Sequence, residues 1–587
     1  MFVVLSLLWD NKKKEKEEES MRKRFVKITA LLLSLTMAVS LSACGGSTDT
    51  VDGKDAKTES NAASDESNLN EVGTYPIVKE PIEMSVFTMT MPNVEDLATN
   101  DFTKYMEEKT GIKLTFQTGT RDDWRDKLNM ALQSGDYPDV ILGVDPNLAK
   151  YGVKEGVIIQ LDDLIEKNMP NYMKMMSQYM DLTRQTDGHI YSIAEINDCY
   201  HCMYGRKMWV NKKYLDAMGV EIPTTTEEFM EVCKKFKEYK PDGIAIAGAN
   251  AKNGWYANFE EWMMGSFILD PGKQQAVRDK TAVTPEGKVV CVATDDKYKE
   301  GLKYMSELYK QGYIYDGDFT QTQEQVRTLM NQEDEPVLFV PAGTLSDVID
   351  PAENNEFYRD YVAMSPVKGP DGTQITPFFK YSGVDEFGLC ITDKCKDPAA
   401  ALRWVDTFFT ETGDLSSQYG AEEGKDWVLN PEGEVGLNGK PALYKVINAY
   451  SPDTQNHDWQ DIGIRVAPAD YRLGQAVDPN VDIGSAEGLE KMLYEASKNL
   501  QEPYAQKEGE LDIMPQLKLT DQEATDIQTV GVEVEKYIAE NQVAFITGQK
   551  DLDKDWESFK QGLDNAGLQT LLSVYQTAYE RQMGKDK

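Results

Sequence analysis

Hydrophobic and polar positions follow two different periods in the first part of the sequence. Residues 82–87 and 112–116 alternate with a period of two, which is typical of strands with one buried face. Residues 99–109 and 122–134 repeat apolar positions at helical spacing, which predicts two amphipathic helices. The continuous apolar run at 140–142 predicts a strand buried on both faces of a parallel sheet. Strand, helix, strand, helix, strand is the beginning of an α/β fold.

Amphipathic helices dominate the pattern further along the chain. One opens with Thr224-x-x-Glu227, which fits a capping box. Another opens with Asp397-Pro398, residues typical of an N-cap and first helical position. Residues 556–579 predict a strong C-terminal helical segment. Because no internal repeat and no long linker separates these elements, the lobes are expected to be discontinuous in sequence.

The amino-terminal segment has the layout of an export signal. The basic residues of Met21-Arg22-Lys23-Arg24 precede an apolar run at 28–39, and small residues lead to Cys44. Leu41-Ser42-Ala43-Cys44 resembles a bacterial lipobox, in which the thiol takes a diacylglyceryl group and becomes the first mature residue. We therefore expect upstream residues and a lipoprotein signal peptide at 1–43 and a disordered tether at 44–75. The alternative is an ordinary signal peptide with a chance cysteine.

Size and charge restrict the classes of function. With 587 residues the chain is too long for one core, so two or more lobes are expected. Its formal net charge of −37 disfavours binding to nucleic acid and to anionic lipid headgroups. After the export segment, no apolar run reaches the roughly 20 residues that cross a bilayer.

The sequence lacks the motifs of common hydrolases. Its three histidines, His189, His201 and His457, stand in no His-x-x-x-His context, and no Gly-x-Ser-x-Gly is present. The 99 acidic residues guarantee chance carboxylate pairs, whereas glycosidase chemistry needs two carboxylates at a set separation. We therefore assign no catalytic residue and no cofactor.

Two polar motifs bear on metal binding. Cys199-Tyr200-His201-Cys202 is the only CxxC, and it is compatible with a metal site, a local disulfide or two incidental thiols. Asp478-x-Asn480-x-Asp482 begins like a calcium loop, but Gly484 falls one place late and no Glu stands at loop position twelve. No metal is predicted.

Six blocks of sequence are similar to those of family 1 extracellular solute-binding proteins, the capture subunits of ATP-driven importers. Each block is weak alone, and their shared order behind a lipobox carries the resemblance. The blocks lie at 104–113, 127–141 (with Gln133-Ser134-Gly135-Asp136-Tyr137-Pro138-Asp139), 156–161, 187–191 (Asp187-Gly188-His189-Ile190-Tyr191), 211–215 (Asn211-Lys212-Lys213-Tyr214-Leu215) and 397–404 (Asp397-Pro398-Ala399-Ala400-Ala401-Leu402-Arg403-Trp404). The match returns at the C-terminal helix. Residues 430–545 fit the family poorly and are interpreted as an elaboration of the second lobe.

The resemblance implies a fold and an architecture. The expected fold is α/β, a two-lobed periplasmic-binding-protein-like fold of type II, with discontinuous lobes joined by crossing strands and a ligand cleft between them. Lobe 1 is expected at 76–200 and 366–425, and lobe 2 at 201–365 and 426–587.

The resemblance also implies a function. The length of the chain and the sequence of residues 211–227 most resemble the oligosaccharide-binding lipoprotein branch of Gram-positive bacteria. The expected protein is a monomer, lipid-anchored on the extracellular face of the cell membrane, which captures a carbohydrate and delivers it to the permease subunits of an ABC importer by lobe closure. A binding protein for a non-sugar solute such as a peptide, a surface glycan-degrading enzyme and a sensor for a signalling receptor stay open as alternatives.

Sugars have apolar ring faces and polar rims, so candidate site residues are flat aromatics and planar hydrogen-bonding groups. By the resemblance, Trp255 and Tyr256 face the cleft from lobe 2. Asp145 and Asn147 follow the strand at 140–142, at the carboxyl end where open α/β sheets bind ligands. Trp124 is predicted to be a core residue. The other candidates, at predicted crossings or in Gly/Asp-rich segments, are Tyr204, Arg206, Asp385, Glu386, Trp427 and Trp459.

Overall fold

The computed structural model describes residues 66–584, except 121–122, 250–254, 273–279, 352–354, 381–382, 449–453 and 486. The predicted export segment, Cys44 and most of the predicted tether therefore lie outside the described residues. Within the described part, no helix combines the length and apolar character that crossing a bilayer requires. Helices and four β-sheets are both present there, so the predicted α/β class is confirmed.

The strands form sheets of six, four, three and two members. In chain order they are β1 Ile82–Met89, β2 Ile112–Gly119, β3 Val140–Leu142, β4 Ser192–Asn197, β5 Met208–Asn211, β6 Ile244–Ile246, β7 Thr281–Val283, β8 Val289–Cys291, β9 Val337–Pro341, β10 Tyr361–Met364, β11 Val384–Ile391, β12 Trp427–Leu429, β13 Tyr444–Val446, β14 Val466–Ala467 and β15 Asp512–Ile513.

The six-stranded sheet has the order β14-β4-β11-β3-β1-β2. β1 pairs in parallel with β2 and β3, as the strand–helix–strand pattern predicts. β11 returns antiparallel between β3 and β4. The four-stranded sheet has the order β10-β5-β9-β6, β15-β7-β8 form the three-stranded sheet, and β12 and β13 form a hairpin.

Helices cover the sheets and connect them. In chain order they are α1 Asp101–Thr110, α2 Trp124–Ser134, α3 Asp162–Asn168, α4 Pro170–Met176, α5 Met180–Thr183, α6 Tyr200–Met203, α7 Lys212–Met218, α8 Thr226–Tyr239, α9 Phe259–Met264, α10 Asp296–Lys310, α11 Gln323–Met330, α12 Pro398–Asp406, α13 Gly413–Tyr419, α14 Ala469–Arg472, α15 Leu489–Ala496, α16 Asp521–Ile546, α17 Leu552–Asn565 and α18 Leu568–Gln582. A π-helix covers Ala149–Lys154.

The two larger sheets are buried in different cores. Val140, Ile141 and Leu142 are fully buried, which agrees with the continuous apolar run of β3. The core around the six-stranded sheet packs α1 and α12 against it. The core around the four-stranded sheet includes the apolar faces of α8, α10 and the C-terminal helices α16 to α18.

The chain passes between these sheets more than once. It leaves the six-stranded sheet after β4 and enters the four-stranded sheet at β5. It returns between β10 and β11, and it leaves again between β14 and β15. The pairing of β14 differs from the predicted lobes. The sequence assigns residues 426–587, which include β14, to lobe 2, but β14 pairs in parallel with β4 of the predicted lobe 1.

Two helix boundaries differ from the sequence pattern. The segment 556–579 is not one helix, because Gly567 adopts a φ of 101° between α17 and α18, a conformation that glycine adopts most readily. The cap of α8 is one residue later than predicted: Thr225 is the N-cap, and the Glu228 carboxylate accepts from the N–H and hydroxyl of Thr224.

Candidate ligand-binding site

A cavity of about 960 Å³ opens at the carboxyl edge of the six-stranded sheet. One wall consists of residues on α2, in the loop after β3 and on β11. The opposite wall consists of residues 514–519, one face of α16 and Tyr575 of α18. The volume lies at the upper end of the range for small-molecule sites, roughly 300–1,000 Å³.

The loop after β3 supplies a polar part of the first wall. Asp145 and Asn147 both line the cavity, at the edge where the sequence predicts them. The Asp145 Oδ1 accepts a hydrogen bond of 2.7 Å from the N–H of Asn147, and Asn147 has a φ of 66°, which asparagine tolerates. Burial raises the pKa of the Asp145 carboxyl. The loop therefore presents a fixed carboxyl group and an exposed amide.

β11 supplies the acidic residues of the same wall. Asp385 and Phe387 line the cavity, and the Asp385 Oδ1 accepts from the N–H of Phe387 at 2.9 Å. Glu386 is buried, and its carboxylate accepts from Gln185 Nε2 at 2.9 Å and pairs with the Lys518 ammonium. Burial raises the pKa of both Asp385 and Glu386, and Lys518 opposes this effect. Of the two, Asp385 is the carboxylate that borders the cavity.

Residues 514–521, which we call the strap, form the opposite wall. The strap is held to α18: the Lys518 N–H donates to Gln582 Oε1 at 3.0 Å, and Arg581 donates to the Lys518 carbonyl at 2.7 Å. Two ion pairs join the strap to other parts of the chain: Lys518 pairs with Glu386 of β11, and Asp521 pairs with Lys154 of the π-helix at 2.6 Å. The strap thus connects the C-terminal helices to the edge of the six-stranded sheet.

The amino-terminal half of α16 continues this wall. Thr520 caps the helix in a capping box with Glu523. The side chains of α16 that line the cavity recur at helical spacing and include Asp521, Thr525, Gln528 and Val532.

Aromatic rings line the cavity between the polar groups. Trp124 lies at the first turn of α2, half-buried, with the Arg125 guanidinium 4.7 Å from its ring centre. Tyr151, Phe387 and Tyr575 also line the cavity. Trp124, predicted to be a core residue, is so only in part: it packs against the core that contains Leu128 and Ile141, and it also lines the cavity. Flat rings beside carboxyl and amide groups suit a ligand with apolar faces and a polar rim.

Four other candidates come together in a separate aromatic cluster. Trp255 and Tyr256 have ring centres 5.3 Å apart, and Tyr204 stacks on Phe378 at 5.0 Å. Arg206 is buried in an ion pair with Glu261 at 2.9 Å. Among the described residues that line the cavity, none of these four candidates (Trp255, Tyr256, Tyr204 and Arg206) is present.

Within that cluster the rings pack on glycines. The Tyr256 ring covers Gly205, where a β-carbon would lie 2.0 Å from it, and the Trp255 ring covers Gly343 in the same way at 2.1 Å. Tyr256, Tyr204 and Arg206 are buried, whereas Trp255 stays half-buried. Burial raises the pKa of the Tyr256 hydroxyl well above its usual range.

The last two tryptophan candidates lie in hydrophobic cores. Trp459 is fully buried against Phe102, and its indole N–H donates to the Thr103 hydroxyl at 2.8 Å. Trp427 is buried, and its indole N–H donates to the Gly420 carbonyl at 2.8 Å. Both indole rings are covered by neighbouring residues and both indole N–H groups are hydrogen-bonded. In this structure neither ring is therefore open to a ligand, in contrast to the predicted stacking role.

The cysteine and acidic motifs also have defined structures. Cys199 and Cys202 form a disulfide, which selects one of the three alternatives left open by the sequence. Asp482 pairs with Arg359, and Gly484 N–H donates to Asp482 at 3.0 Å.

Sequence reasoning missed the strap and α16. The strap and all but the last residue of α16 lie in 430–545, the region that fits the family pattern poorly. The capping box Thr520-x-x-Glu523 was a readable signal for the start of α16. No local pattern shows that this helix faces Asp145, because the two are more than 370 positions apart in the chain.

Comparisons with known proteins agree with this architecture. The model of the bacterial extracellular solute-binding protein family matches residues 91–461. The fructooligosaccharide ABC transporter substrate-binding protein FusA of Streptococcus pneumoniae is 25% identical over 568 residues, covering 94% of this chain and 97% of FusA.

Solved structures show the same fold. FusA in complex with kestose superposes with a TM-score of 0.70 at 22% identity, covering 86% of this chain and 100% of that one. A solute-binding protein from Bifidobacterium longum infantis, described as binding HMO, superposes with a TM-score of 0.71 at 18% identity, covering 86% and 99%.

Proposed function

Because this chain belongs to the bacterial extracellular solute-binding protein family, we propose that it captures an oligosaccharide in the cavity beside the strap and delivers it to an ABC importer. The observation that carries this proposal is the lining of the cavity. Half-buried Trp124 and Phe387 line it together with Asp145, Asn147 and Asp385, a combination that matches the apolar faces and hydroxyl rims of sugars.

The relatives support the choice of a carbohydrate. FusA is named for fructooligosaccharides, and it matches this chain over nearly the whole length of both proteins. We propose Asp145, Asn147 and Asp385 as ligand-binding residues, with Trp124 as a stacking platform. Glu386 acts through its ion pair with Lys518, which holds the strap against β11.

We further propose that the mature protein is a monomer held at the outer face of the cell membrane through a lipidated Cys44. The lipobox at Leu41-Ser42-Ala43-Cys44 supports this anchor, and two acyl chains suffice for stable attachment. Lobe closure around the sugar presents the loaded surface to the permease. Labelling of the expressing bacterium with a radioactive fatty acid tests the anchor, which is overturned if Cys44→Ala still takes up label.

A thermal-shift screen tests the binding function. The purified protein is heated with monosaccharides, with oligosaccharides including kestose, and with short peptides. A ligand at 100 times its Kd stabilises the folded state by about 2.7 kcal/mol, which gives a clear rise in Tm. We expect the shift with an oligosaccharide, its loss in Trp124→Ala and its retention in Trp255→Ala.

The other outcomes are equally informative. A shift with peptides alone overturns the carbohydrate and keeps the binding class. Loss of the shift in Trp255→Ala but not in Trp124→Ala moves the site to the aromatic cluster. Steady disappearance of an oligosaccharide from solution, without a Tm shift, identifies a glycan-degrading enzyme.

A further inference from the structure

Five residues with side-chain amides line the cavity, and three of them belong to the two helices of its walls. Asn129 and Gln133 lie on α2, and Gln528 lies on α16; we call these three residues the amide patch. Asn129 is partly exposed, and Gln133 and Gln528 are exposed. None of the three side chains has a hydrogen bond to another residue in the described part of the chain.

The amide patch extends the cavity along two helices. Arg125, Asn129 and Gln133 stand four positions apart and share one face of α2, so this face spans about 12 Å at 1.5 Å per residue. The lining face of α16 runs from Asp521 to Val532, about 16 Å by the same rise. Both helices border the same 960 Å³ space, so the amides of α2 and α16 belong to one cavity.

The chemistry of the patch differs from that of the sheet edge. The end near β3 and β11 carries the carboxyl groups of Asp145 and Asp385. A primary amide offers two donors and a carbonyl acceptor, whereas an ionised carboxylate only accepts. Sugar hydroxyls both donate and accept, so amides without internal partners suit hydroxyls that face in either direction. An apolar ligand gains little from the same groups.

We propose that the amide patch is a second sugar subsite, which binds a unit further along an oligosaccharide and makes the protein select chains of several units over single sugars. This inference rests on the proposed function, since it assumes that a sugar occupies the end near Asp145. The reducing or non-reducing end of the chain then extends between α2 and α16, the two helices that carry Asn129, Gln133 and Gln528.

The test is a calorimetric titration of the purified protein with two length series. One series is fructose, sucrose, kestose and nystose, and the other is glucose, maltose, maltotriose and maltotetraose. Four proteins are compared: the wild type, Asn129→Ala/Gln133→Ala, Gln528→Ala and the control Gln522→Ala. Gln522 is an exposed glutamine on the same helix that does not line the cavity.

We expect the wild-type affinity to rise with chain length in the series that binds. Each removed amide should weaken the longest sugar by about two- to tenfold, the value of one or two lost hydrogen bonds, and leave the shortest binder unchanged. Gln522→Ala should match the wild type for every probe. Alanine is a strong helix former, so these exposed positions tolerate it, and unchanged Tm values without ligand verify this.

Two results overturn the subsite while leaving the binding function intact. In the first, the wild type binds a single sugar and its longer relatives with equal affinity. In the second, the variants of the amide patch bind the longest sugar as tightly as the wild type does. A complete lack of binding to either series overturns the carbohydrate function itself, and the subsite with it.

Discussion

Asp318 shows how a single residue can make stability depend on pH. Its carboxyl group is fully buried, beside the carboxyl of Glu260 and the backbone of Gly248. Burial, and then the neighbouring Glu260, raise the pKa of Asp318 well above its usual range. Two adjacent buried carboxylates cannot both ionise without a large cost, so the folded protein retains a proton there.

The sign of the effect follows from this raised pKa. Above about pH 4 the unfolded chain releases the Asp318 proton while the folded chain keeps it. The group therefore lowers the free energy of unfolding by up to about 1.4 kcal/mol per pH unit as the pH rises toward its folded-state pKa. Asp318→Asn should remove this loss, so its stability relative to the wild type should increase from pH 4 to pH 7.

Urea unfolding at each pH unit measures the difference. Asp242→Asn is the control, because Asp242 is an exposed aspartate in a turn of the same region. A constant difference between Asp318→Asn and the wild type across this pH range would contradict a retained proton. The same trend in Asp242→Asn would assign it to net charge rather than to burial.

At the scale of elements, α16 combines a structural role with a place in the cavity wall. Its buried residues, such as Val534 and Ile538, pack into the core of the four-stranded sheet. A neighbouring face lines the cavity, and Gly531 lies where that face meets the buried one. A glycine inside a helix costs about 0.5–1 kcal/mol relative to alanine, so its presence favours a role in leaving room for the ligand.

Gly531→Ala should therefore separate stability from binding. The free energy of unfolding should rise by about 0.5–1 kcal/mol through helix propensity, while the affinity for the bound sugar should fall because a methyl group enters the cavity. Chemical denaturation and titration calorimetry measure the two quantities. Thr529→Ala, on the same turn but away from the cavity, should gain stability and keep its affinity. Undiminished binding by Gly531→Ala would show that this face does not contact the ligand.

Across the protein as a whole, two ion pairs connect the strap to distant parts of the chain. The pair of Lys518 and Glu386 is largely shielded from solvent, with 17% and 9% of the side chains exposed. The pair of Lys154 and Asp521 is much more exposed and contributes at most about 1 kcal/mol. Both join the C-terminal part of the chain to residues near the six-stranded sheet, so both hold these two parts of the protein together.

Replacing the buried pair should open the ligand-free protein. Lys518→Met/Glu386→Gln removes both charges together, which avoids leaving one buried charge without its partner. We expect a larger radius of gyration by small-angle X-ray scattering without ligand, and the wild-type value with saturating ligand. Lys299→Met, which removes an ion pair with Asp553 away from the cavity, is the control. Equal radii for the double variant and the wild type would show that the strap does not depend on these charges.

The sequence predicted the part of the candidate site that lies in the loop directly after a strand. The apolar run at 140–142 fixed β3, and the rule that ligands bind at the carboxyl ends of strands then selected Asp145 and Asn147. Trp459 shows the opposite case. A tryptophan in a Gly/Asp-rich segment has no periodicity that reveals whether its ring is covered, and here α1 and α12 cover it.

Local sequence therefore determined the α/β class, the early strands and helices, and the family of this protein, because strand alternation, helix periodicity and short ordered motifs are properties of neighbouring residues. Tertiary structure alone decided that the strap and α16 lie opposite Asp145, that Trp124 lines the cavity and that Trp255 packs in a separate cluster. These placements depend on long-range packing between segments hundreds of residues apart, and the free energy of burial that selects such contacts leaves no periodic signal in either segment.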